Sequence, residues 1–529
     1  MPISRQLIVS CCWFVAFIVG DAQAIPFSPI PQAEAHIERG LSLARAGKLD
    51  QAEIELRQAA TIAPSDPEAL SSLATVLAMQ NKLSESTEIF RKVIHISPTD
   101  VTARRYLAAN LWQLHLYPEA KSNLEILLKQ KPDDEPAKLL LGMVSENMGN
   151  YATAARLLGS VPYEVQKQPQ SIAALARSYY HLQQTEKARA TLALLSIHQP
   201  GPQAVFLGAQ IAEEMRDYET AEKLLNSIRS SFPDQYKLEY SLAQIAYDAG
   251  HFDQSRDILL KLIESGSKTD AVFNLLGWCY QKQGHPAEAT QALAESIKLA
   301  PNKEANYLDL GNILIAQHSL PSALQSAKQA TDTFPNSAAA LELRGSVEMR
   351  MGQFTDSIGS YQKAIQLDPS RANSILGLAQ AQYAAGISKD AYANFETGIK
   401  RFPKDARFPA QYAAVLLKQS ETEDAATEMR ADQLLRSALV LNPKLPDVHY
   451  QLGNLALKKG RLVEAQQQLE QSIKFDPAAT QPHFALARVY RRQGRQQDAA
   501  HEMELYEKSK TANSQQDSSL TQTNPDSRK

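Results

Sequence analysis

The sequence predicts an all-α protein, a solenoid of about fourteen repeated pairs of helices. Three observations lead to this prediction. A proline recurs at 34-residue intervals, a small side chain stands twelve residues before it, and a glycine often lies five residues before the small one. The proline series includes Pro64, Pro98, Pro132, Pro301, Pro335, Pro369 and Pro403. Self-similarity at a fixed period of this length is typical of stacked repeats.

Each period predicts two helices joined by a short turn. The glycine, as in Gly284, can adopt the left-handed conformation that ends the first helix, and the proline ends the second because it has no N–H to donate. Small side chains allow the two helices to approach closely, and they are Ala52, Ser86, Ala120, Ala154, Ala188, Ala221, Ser255, Ala289, Ala323, Ser357, Ala391, Ala431, Ala465 and Ala499. A single pair buries only one face, so it must stack on its neighbours.

One stretch shows the whole pattern. Residues 270–303 carry Leu276, Gly277, Tyr280, Ala289 and Pro301. This pattern resembles the tetratricopeptide repeat family, and units in phase with it extend from about residue 33 to 511. The resemblance implies a right-handed superhelical α-solenoid in which the first helix of each repeat lines a concave groove. It also implies that protein or peptide partners bind in that groove.

The amino terminus has the pattern of a targeting segment. Arg5 precedes a run of thirteen apolar residues, Leu7 to Val19, which is followed by Ala22-Gln23-Ala24. Because a membrane-spanning helix needs about 20 residues, this run fits a cleaved signal peptide over residues 1–24, with a leader over residues 25–32. The sequence therefore predicts an exported protein, periplasmic or secreted, that has no stable membrane insertion after cleavage. The alternative is an uncleaved segment that anchors the chain to the membrane.

The repeats are expected to form two blocks, residues 33–168 with four repeats and residues 169–511 with ten. Gly159 and Pro162 interrupt the second helix of the repeat before the boundary. Proline in a helix interior costs about 3 kcal/mol, so this helix should end early. The interruption is either a hinge between the blocks or a local kink that packing bridges.

Two further segments depart from the pattern. The repeat at 406–445 is six residues longer than the others and acidic, so its helices should project beyond the edge of the stack. Its charges predict a solvated face, with a docking role as the alternative. Residues 512–529 are polar and lack aromatic side chains, which predicts a disordered tail.

Cys279 and His285 raise the question of a reactive thiol beside an imidazole. If the signal peptide is removed, Cys279 is the last remaining cysteine, so it cannot form an internal disulfide. It stands at the tenth position of its repeat, where other repeats have Val76, Ala246 or Ile313. The pattern favours a small apolar packing residue over a catalytic or metal-binding one.

Charge and motifs argue against other classes of function. The 55 basic and 58 acidic residues leave a net charge of −3, whereas nucleic-acid binding needs a basic excess. The segment HEMEL at 501–505 begins like a zinc-peptidase helix but has Leu505 where the second ligand must stand. Since the repeats occupy residues 33–511, no stretch remains for a catalytic domain. The sequence predicts no enzyme activity, no cofactor, no metal site and no nucleic-acid partner.

These observations predict an exported, non-enzymatic scaffold that binds protein or peptide partners in a concave groove. By analogy alone, it would serve the assembly of an envelope, secretion or exopolysaccharide system. The alternative is an accessory subunit that recruits substrate for a glycan-processing or glycosyltransferase enzyme.

Candidate partner-binding residues follow from the resemblance. In the family, positions two, five, nine, twelve and thirteen of the first helix line the groove. The large aromatic residues at these positions are Trp112, Tyr180, Tyr240, Tyr247, Trp278, Tyr383, Tyr450 and Phe484. Such side chains often dominate partner binding, although they could instead pack against the neighbouring repeat. A basic patch of Lys458, Arg488, Arg491 and Arg492 is either a site for an acidic partner or the solvated face of a capping helix.

Overall fold

A computed structural model describes residues 31–198, 201–419 and 425–522. The described residues form 29 α-helices and no strand, which confirms the predicted all-α class. The predicted signal peptide at 1–24 and nearly all of the predicted leader lie outside the described residues. Within the described part, no helix combines the length and the apolar character that crossing a membrane requires.

The chain divides into two compact units, Met1–Ser267 and Lys268–Lys529. The first unit contains α1 (Pro31–Arg45), α2 (Leu49–Ile62), α3 (Pro67–Met79), α4 (Leu83–Ile96), α5 (Val101–Gln113), α6 (Tyr117–Gln130), α7 (Glu135–Asn147), α8 (Tyr151–Gly159), α9 (Pro162–Gln166), α10 (Pro169–His181), α11 (Thr185–His198), α12 (Pro202–Glu214), α13 (Tyr218–Ser227), α14 (Gln235–Asp248) and α15 (Phe252–Glu264). The second unit contains α16 (Asp270–Gln283), α17 (Pro286–Leu299), α18 (Glu304–Ala316), α19 (Leu320–Thr333), α20 (Ala338–Arg350), α21 (Phe354–Leu367), α22 (Ala372–Ala384), α23 (Ser388–Arg401), α24 (Arg407–Gln419), α25 (Ala425–Leu441), α26 (Pro446–Lys458), α27 (Leu462–Phe475), α28 (Thr480–Arg492) and α29 (Gln496–Gln522).

Apart from α9, these helices form fourteen packed pairs, seven in each unit, as the period predicts. Within a unit, the second helix of a pair also packs against the first helix of the next pair. For example, α2 packs against α3, and α17 packs against α18. Each pair thus covers the apolar face of its neighbour, which is how a stack of repeats builds its core.

The small side chains lie where the two helices of each pair cross. Three of the predicted positions hold serine in place of alanine, and all three serines are fully buried. Their hydroxyls donate to a backbone carbonyl of the partner helix at 2.7 Å, in the pairs Ser86–Ala74, Ser255–Ala243 and Ser357–Gly345. Serine therefore fits here because its one polar group finds an acceptor within the crossing.

The turn between the two helices has the predicted left-handed residue. Gly284 ends α16 with a φ of 77°. Five other repeats make the turn without glycine, with φ between 57° and 62°, at Asn81, His115, Gln183, Arg216 and His318. Single left-handed residues of this kind are tolerated when the surrounding structure holds them.

The interruption near Pro162 is packed. Helix α8 ends at Gly159 and the short α9 begins at Pro162, so the predicted early end is confirmed. Leu158, Val165 and Ile172 belong to one core cluster that spans the interruption, and α10 packs directly against α8. The structure thus favours a packed kink here. The two compact units divide after Ser267, and the block boundary at 168/169 stays a prediction.

The long repeat and the tail also differ from their neighbours. Helix α25 has 17 residues, compared with 14 in most second helices of pairs. Helix α29 continues to Gln522, into the segment predicted to be disordered. No glycine or proline interrupts the chain between Gly494 and Pro525, so nothing in the backbone chemistry stops this helix earlier. Residues 523–529 lie outside the described residues.

Candidate functional site

The candidate aromatic residues lie on the first helices of the pairs. These helices contact one another from repeat to repeat, for example α3 with α5 and α18 with α20. We call the surface that they form within each unit the first-helix face. It carries side chains from equivalent positions of successive repeats, side by side.

Three of the aromatic residues join neighbouring repeats through their polar atoms. Trp112 Nε1 donates to Asn147 Oδ1 at 2.8 Å. The Trp278 indole N–H donates to Asp309, two helices further along the chain. Because these rings are only partly buried, each of them combines packing with a surface that a partner can contact.

Tyr180 is the third, and it belongs to a small polar network. Its hydroxyl donates to Asp217 Oδ2 at 2.9 Å, and Arg189 donates to both oxygens of the same carboxylate at 2.8 and 2.9 Å. Burial, reinforced by the bond to Asp217, raises the pKa of Tyr180. Burial alone would raise the pKa of Asp217, but the bonds from Arg189 and Tyr180 outweigh it and the pKa is lowered. The network ties α10 and α11 to Asp217, the residue that caps the start of α13.

Four more tyrosines are partly buried. Tyr240 stacks on Tyr236 with ring centroids 6.0 Å apart, and Tyr247 packs at 5.4 Å against Phe252. Tyr383 and Tyr450 pack against the edges of two core clusters in the second unit. Packing against other side chains of the stack is thus part of what these four tyrosines do.

Phe484 is the most exposed of the eight aromatic residues. It is 38% exposed, although its ring packs at 5.4 Å against Tyr506 of the last helix. An exposed phenyl ring on a first helix offers apolar area to a partner at little cost in rotamer entropy.

Asn274, Trp278 and Asp309 form a polar cluster that the sequence did not predict. Asn274 Nδ2 donates to Asp309 Oδ2 at 2.8 Å. Burial raises the pKa of Asp309, against the effect of the two hydrogen bonds that it accepts from Asn274 and Trp278. The spacing of 35 residues between Asn274 and Asp309, one period plus one, is the signal that could have linked them.

The predicted basic patch is only partly free of ion pairs. Lys458 donates to Glu428, which is buried, and Arg492 donates to the backbone carbonyl of Leu457 at 2.9 Å. Arg488 and Arg491 are exposed and have no ion pair with any described residue. The patch therefore combines two anchored cations with two that are open to a ligand.

A pocket of about 310 Å³ lies beside this patch, between α24, α25 and α26. Its lining includes Leu417, Lys418, Glu428, Gln451, Asn454 and Lys458. Of these residues only Lys458 was a candidate from the sequence. The signal that was missed is Glu428, which stands three residues before Ala431, where most repeats have a large apolar residue such as Leu49, Phe252 or Leu462.

The structure separates Cys279 from His285. Cys279 is fully buried inside α16, while His285 is exposed at the start of α17. A buried thiol in an apolar helix crossing is a packing residue. Among the described residues, no group of three or more His, Cys, Asp and Glu side chains is placed to hold a metal ion.

Comparison with protein families gives one consistent result. Three family models, each described as a tetratricopeptide repeat, match the chain. The first matches residues 28–67, 37–101, 308–372 and 450–514, the second matches residues 212–279, and the third matches residues 271–303. Together the matches cover more than half of the 529 residues.

Individual relatives match over shorter stretches. The chain is 24% identical over 156 residues to protein O-mannosyl-transferase TMTC1 of Homo sapiens, which covers 29% of this chain and 18% of that protein. It is 24% identical over 183 residues to the Hsp70-Hsp90 organizing protein of Triticum aestivum, which covers 33% of this chain and 31% of that protein. The chain thus spans less than a third of the length of either relative.

Among solved structures, the crystal structure of yeast Tom70 matches with a TM-score of 0.39 and 16% sequence identity. That match covers 92% of this chain and 96% of the other.

Proposed function

The chain belongs to the tetratricopeptide repeat family, and from this premise we propose that it is a non-enzymatic scaffold that binds protein or peptide partners on its first-helix face. Its relatives include a protein named for organizing Hsp70 and Hsp90. By analogy with that relative, we propose that the repeats of this chain form a surface that holds other proteins.

One observation carries the proposal. The first helices of successive repeats lie against one another, so their side chains form a row that is fixed before any partner arrives. Inter-repeat bonds such as Trp112–Asn147 and Tyr180–Asp217 hold this row in place. A preorganised surface of partly exposed aromatic and polar side chains suits an extended or helical peptide, because little entropy is lost on binding.

We place this scaffold outside the cytoplasm, in the assembly of an envelope, secretion or exopolysaccharide system. The support is the apolar run from Leu7 to Val19 with the small residues that follow it. Cell fractionation, together with amino-terminal sequencing of the mature protein, tests this placement. A chain that retains residues 1–24 in the membrane fraction would instead show an anchor.

A second candidate function has one specific observation in its favour. The similarity to protein O-mannosyl-transferase TMTC1 links part of these repeats to a glycosyltransferase. By this route the chain would be an accessory subunit that brings substrate to a glycan-processing enzyme. Co-purification of a transferase with the chain would favour this candidate over the assembly scaffold.

Crosslinking in the native envelope identifies the partner, and two substitutions then test the surface. We expect Tyr247→Ala and Trp278→Ala each to weaken partner binding by at least about 1 kcal/mol, a typical threshold for a contributing interface residue. Isothermal titration calorimetry with the purified partner measures the change in binding free energy. Tyr163→Ala serves as the control, because this side chain is 70% exposed and lies on α9, which is not a first helix of any pair.

One outcome would contradict the prediction that these two rings bind the partner. If the two variants lose helical content and unfold at lower temperature while their remaining folded fraction binds as before, these rings serve only packing. The first-helix face would then not be the binding surface.

A further inference from the structure

A groove lies at the edge of the second unit, where the chain passes from one repeat to the next. It has a volume of about 650 Å³ and runs between two linkers, residues 402–406 before α24 and residues 442–445 before α26. Phe402, Leu441 and Leu445 supply its apolar lining. Leu441 is 40% exposed and the other two side chains are partly buried. Linkers and helix ends form this groove, and the first-helix face takes no part in it.

Val440 extends the apolar area beyond the groove. It precedes Leu441 at the end of α25 and is 83% exposed, more than any other large apolar side chain of the described residues. A single exposed leucine, such as Leu367 at the end of α21, needs no explanation. At this edge, however, two exposed aliphatic side chains adjoin an apolar groove. Contiguous exposed apolar area of this kind marks a surface that binds something.

Three lysines surround the apolar area. Lys400 lies in the last turn of α23, Lys404 in the first of the two linkers and Lys444 in the second. All three side chains are exposed, and none of them forms an ion pair with a described residue. Their ammonium groups are therefore open to an anionic ligand.

The carboxylates of the same two segments do not cancel this charge. Asp405 pairs with Arg407 at 2.6 Å, so these two side chains neutralise each other. Asp447 is the remaining acidic residue of residues 400–407 and 440–447, which together contain five basic residues. The whole chain, in contrast, has a net charge of −3. We call the surface made by these two segments the linker edge, and it is locally positive.

The chemistry of the linker edge suits an anionic lipid surface. Lysine ammonium groups are attracted to anionic headgroups, and aliphatic side chains beside them can enter the boundary between headgroups and acyl chains. Since the side chains stand on helix ends and linkers, a broad flat surface can reach all of them at once. Single-stranded nucleic acid favours aromatic platforms, but Phe402, the aromatic side chain of the lining, already stacks on Phe408 at 5.7 Å.

We propose that the linker edge docks on an anionic lipid surface. Lys400, Lys404 and Lys444 bind lipid phosphates, while Val440 and Leu441 enter the boundary between headgroups and acyl chains. Binding of this kind needs no helix that crosses the bilayer. The inference goes beyond the proposed function, because it gives the scaffold a second binding surface and leaves the first-helix face to protein partners.

A fluorescent label at position 440 tests this docking. The full chain carries Val440→Cys, labelled with an environment-sensitive nitrobenzoxadiazole group, together with Cys11→Ser and Cys12→Ser. Cys279 is fully buried and stays unlabelled. The vesicles contain equal parts of phosphatidylglycerol and phosphatidylcholine, and the reference vesicles contain phosphatidylcholine alone. We expect the emission to shift to shorter wavelength with the anionic vesicles and to stay constant with the reference vesicles. Because the label reports on its own surroundings, membrane binding elsewhere on the chain does not produce this shift.

Variants test the position and the charge separately. The control for position is a label at Val463→Cys, because Val463 is 70% exposed but lies at the start of a second helix, α27. Lys404→Glu with Lys444→Glu should raise the vesicle concentration at the half-maximal shift at least about tenfold, since two attractive charges become repulsive. Lys328→Glu with Lys389→Glu changes the net charge equally on exposed lysines elsewhere in the unit. This control should resemble the unchanged protein.

The inference is overturned by any of three results: no shift at position 440 with anionic vesicles, an equal shift at position 463, or the same half-maximal concentration after Lys404→Glu with Lys444→Glu. A shift caused by a glutamate-rich peptide or by single-stranded DNA, without a response to vesicles, would also overturn it. The proposed function has its own test. If Lys404→Glu with Lys444→Glu captures the native partner normally and Tyr247→Ala does not, the scaffold function stands whatever the vesicles show.

Discussion

At the scale of single residues, the crossing of two helices limits which side chains fit. Gly398 lies in α23, where a Cβ would come within 2.1 Å of the ring of Phe408. That ring is fully buried in a core cluster, so moving it would disturb the side chains packed around it. Gly359 in α21 is different, because a Cβ there would meet no atom within 4 Å.

These two glycines make a matched pair for mutation. We expect Gly398→Ala to destabilise the protein by about 1–3 kcal/mol, the usual range for overpacking a core. We expect Gly359→Ala to stabilise it by up to about 1 kcal/mol, because alanine is the better helix former. Urea unfolding followed by circular dichroism compares the two. Equal stability of both variants would show that Phe408 can move after all.

Much at this scale could be predicted from the sequence, but the polar contacts could not. The small size of Ser86 and Ser255 followed from the 34-residue period, since every repeat has a small residue there. The acceptors of their hydroxyls, and the bond from Trp112 to Asn147, depend on rotamers and on the distance between helices. The 34-residue period in the sequence carries no information on side-chain rotamers or on the distance between helices.

At the scale of helices, ion pairs repeat with the period and tie one second helix to the next. Arg57 reaches Glu85 at 2.6 Å, and 34 residues further on Arg91 reaches Glu119 at 2.8 Å. Exposed pairs of this kind contribute about 0–1 kcal/mol each. Glu53 is better shielded, with only 13% of its side chain exposed, and it accepts from both Lys82 and Arg57 at 2.6 and 2.8 Å.

Glu53 predicts how stability depends on pH. The hydrogen bond from Lys82, opposed by burial and helped by Arg57, lowers the pKa of Glu53 from 4.5 to about 2. Because the folded pKa is the lower one, the stabilisation is complete above about pH 4.5 and is lost as the pH falls through about 2. Glu53→Gln should therefore cost about 1–3 kcal/mol at pH 7 and much less at pH 2.

Thermal unfolding at several pH values measures this difference. Glu88→Gln is the control, because the Glu88 side chain is 66% exposed and, among the described residues, forms an ion pair only with Arg91 of its own helix. A gap between Glu53→Gln and the unchanged protein that stays constant from pH 7 to pH 2 would mean that the carboxylate contributes nothing as a charge.

Helix ends were predictable where backbone chemistry decides them. Pro162 predicted the early end of α8, and Gly284 predicted the end of α16. The long repeat predicted extended helices, and α25 has 17 residues; what the sequence could not predict is that Glu428 in the first turn of α25 pairs with Lys458 of the next repeat. Helix α29 extends to Gln522, into the segment whose polar composition predicts disorder, and no glycine or proline interrupts the helix there.

At the scale of the whole molecule, the helix interruption at Gly159 and Pro162 and the division of the chain into two compact units fall at different places. Gly159 and Pro162 interrupt a helix, but Val161 and Val165 are almost fully buried in a core cluster that continues on both sides. The two compact units are instead divided after Ser267, next to Gly266 with its φ of 93°. Periodicity could give the number of repeats but not the strength of packing between them.

Limited digestion with trypsin tests this division. Lys167 and Lys268 are both exposed, and each lies between helices. We expect cleavage after Lys268 to precede cleavage after Lys167, because local opening is easiest where packed units divide. Mass spectrometry of the first fragments gives the order. Early cleavage after Lys167, with Lys268 intact, would restore the hinge between residues 33–168 and 169–511.

The six extra residues of the long repeat have a consequence for engineering the chain. Arg436 pairs with Glu464 across 28 residues, the same separation as in the pairs Arg57–Glu85 and Arg91–Glu119. The added length is therefore absorbed before Arg436, and everything downstream keeps its register. A turn between the two helices of a repeat is accordingly a graft site: a foreign loop or a binding epitope placed there would alter the adjoining surface and leave the following repeats undisturbed.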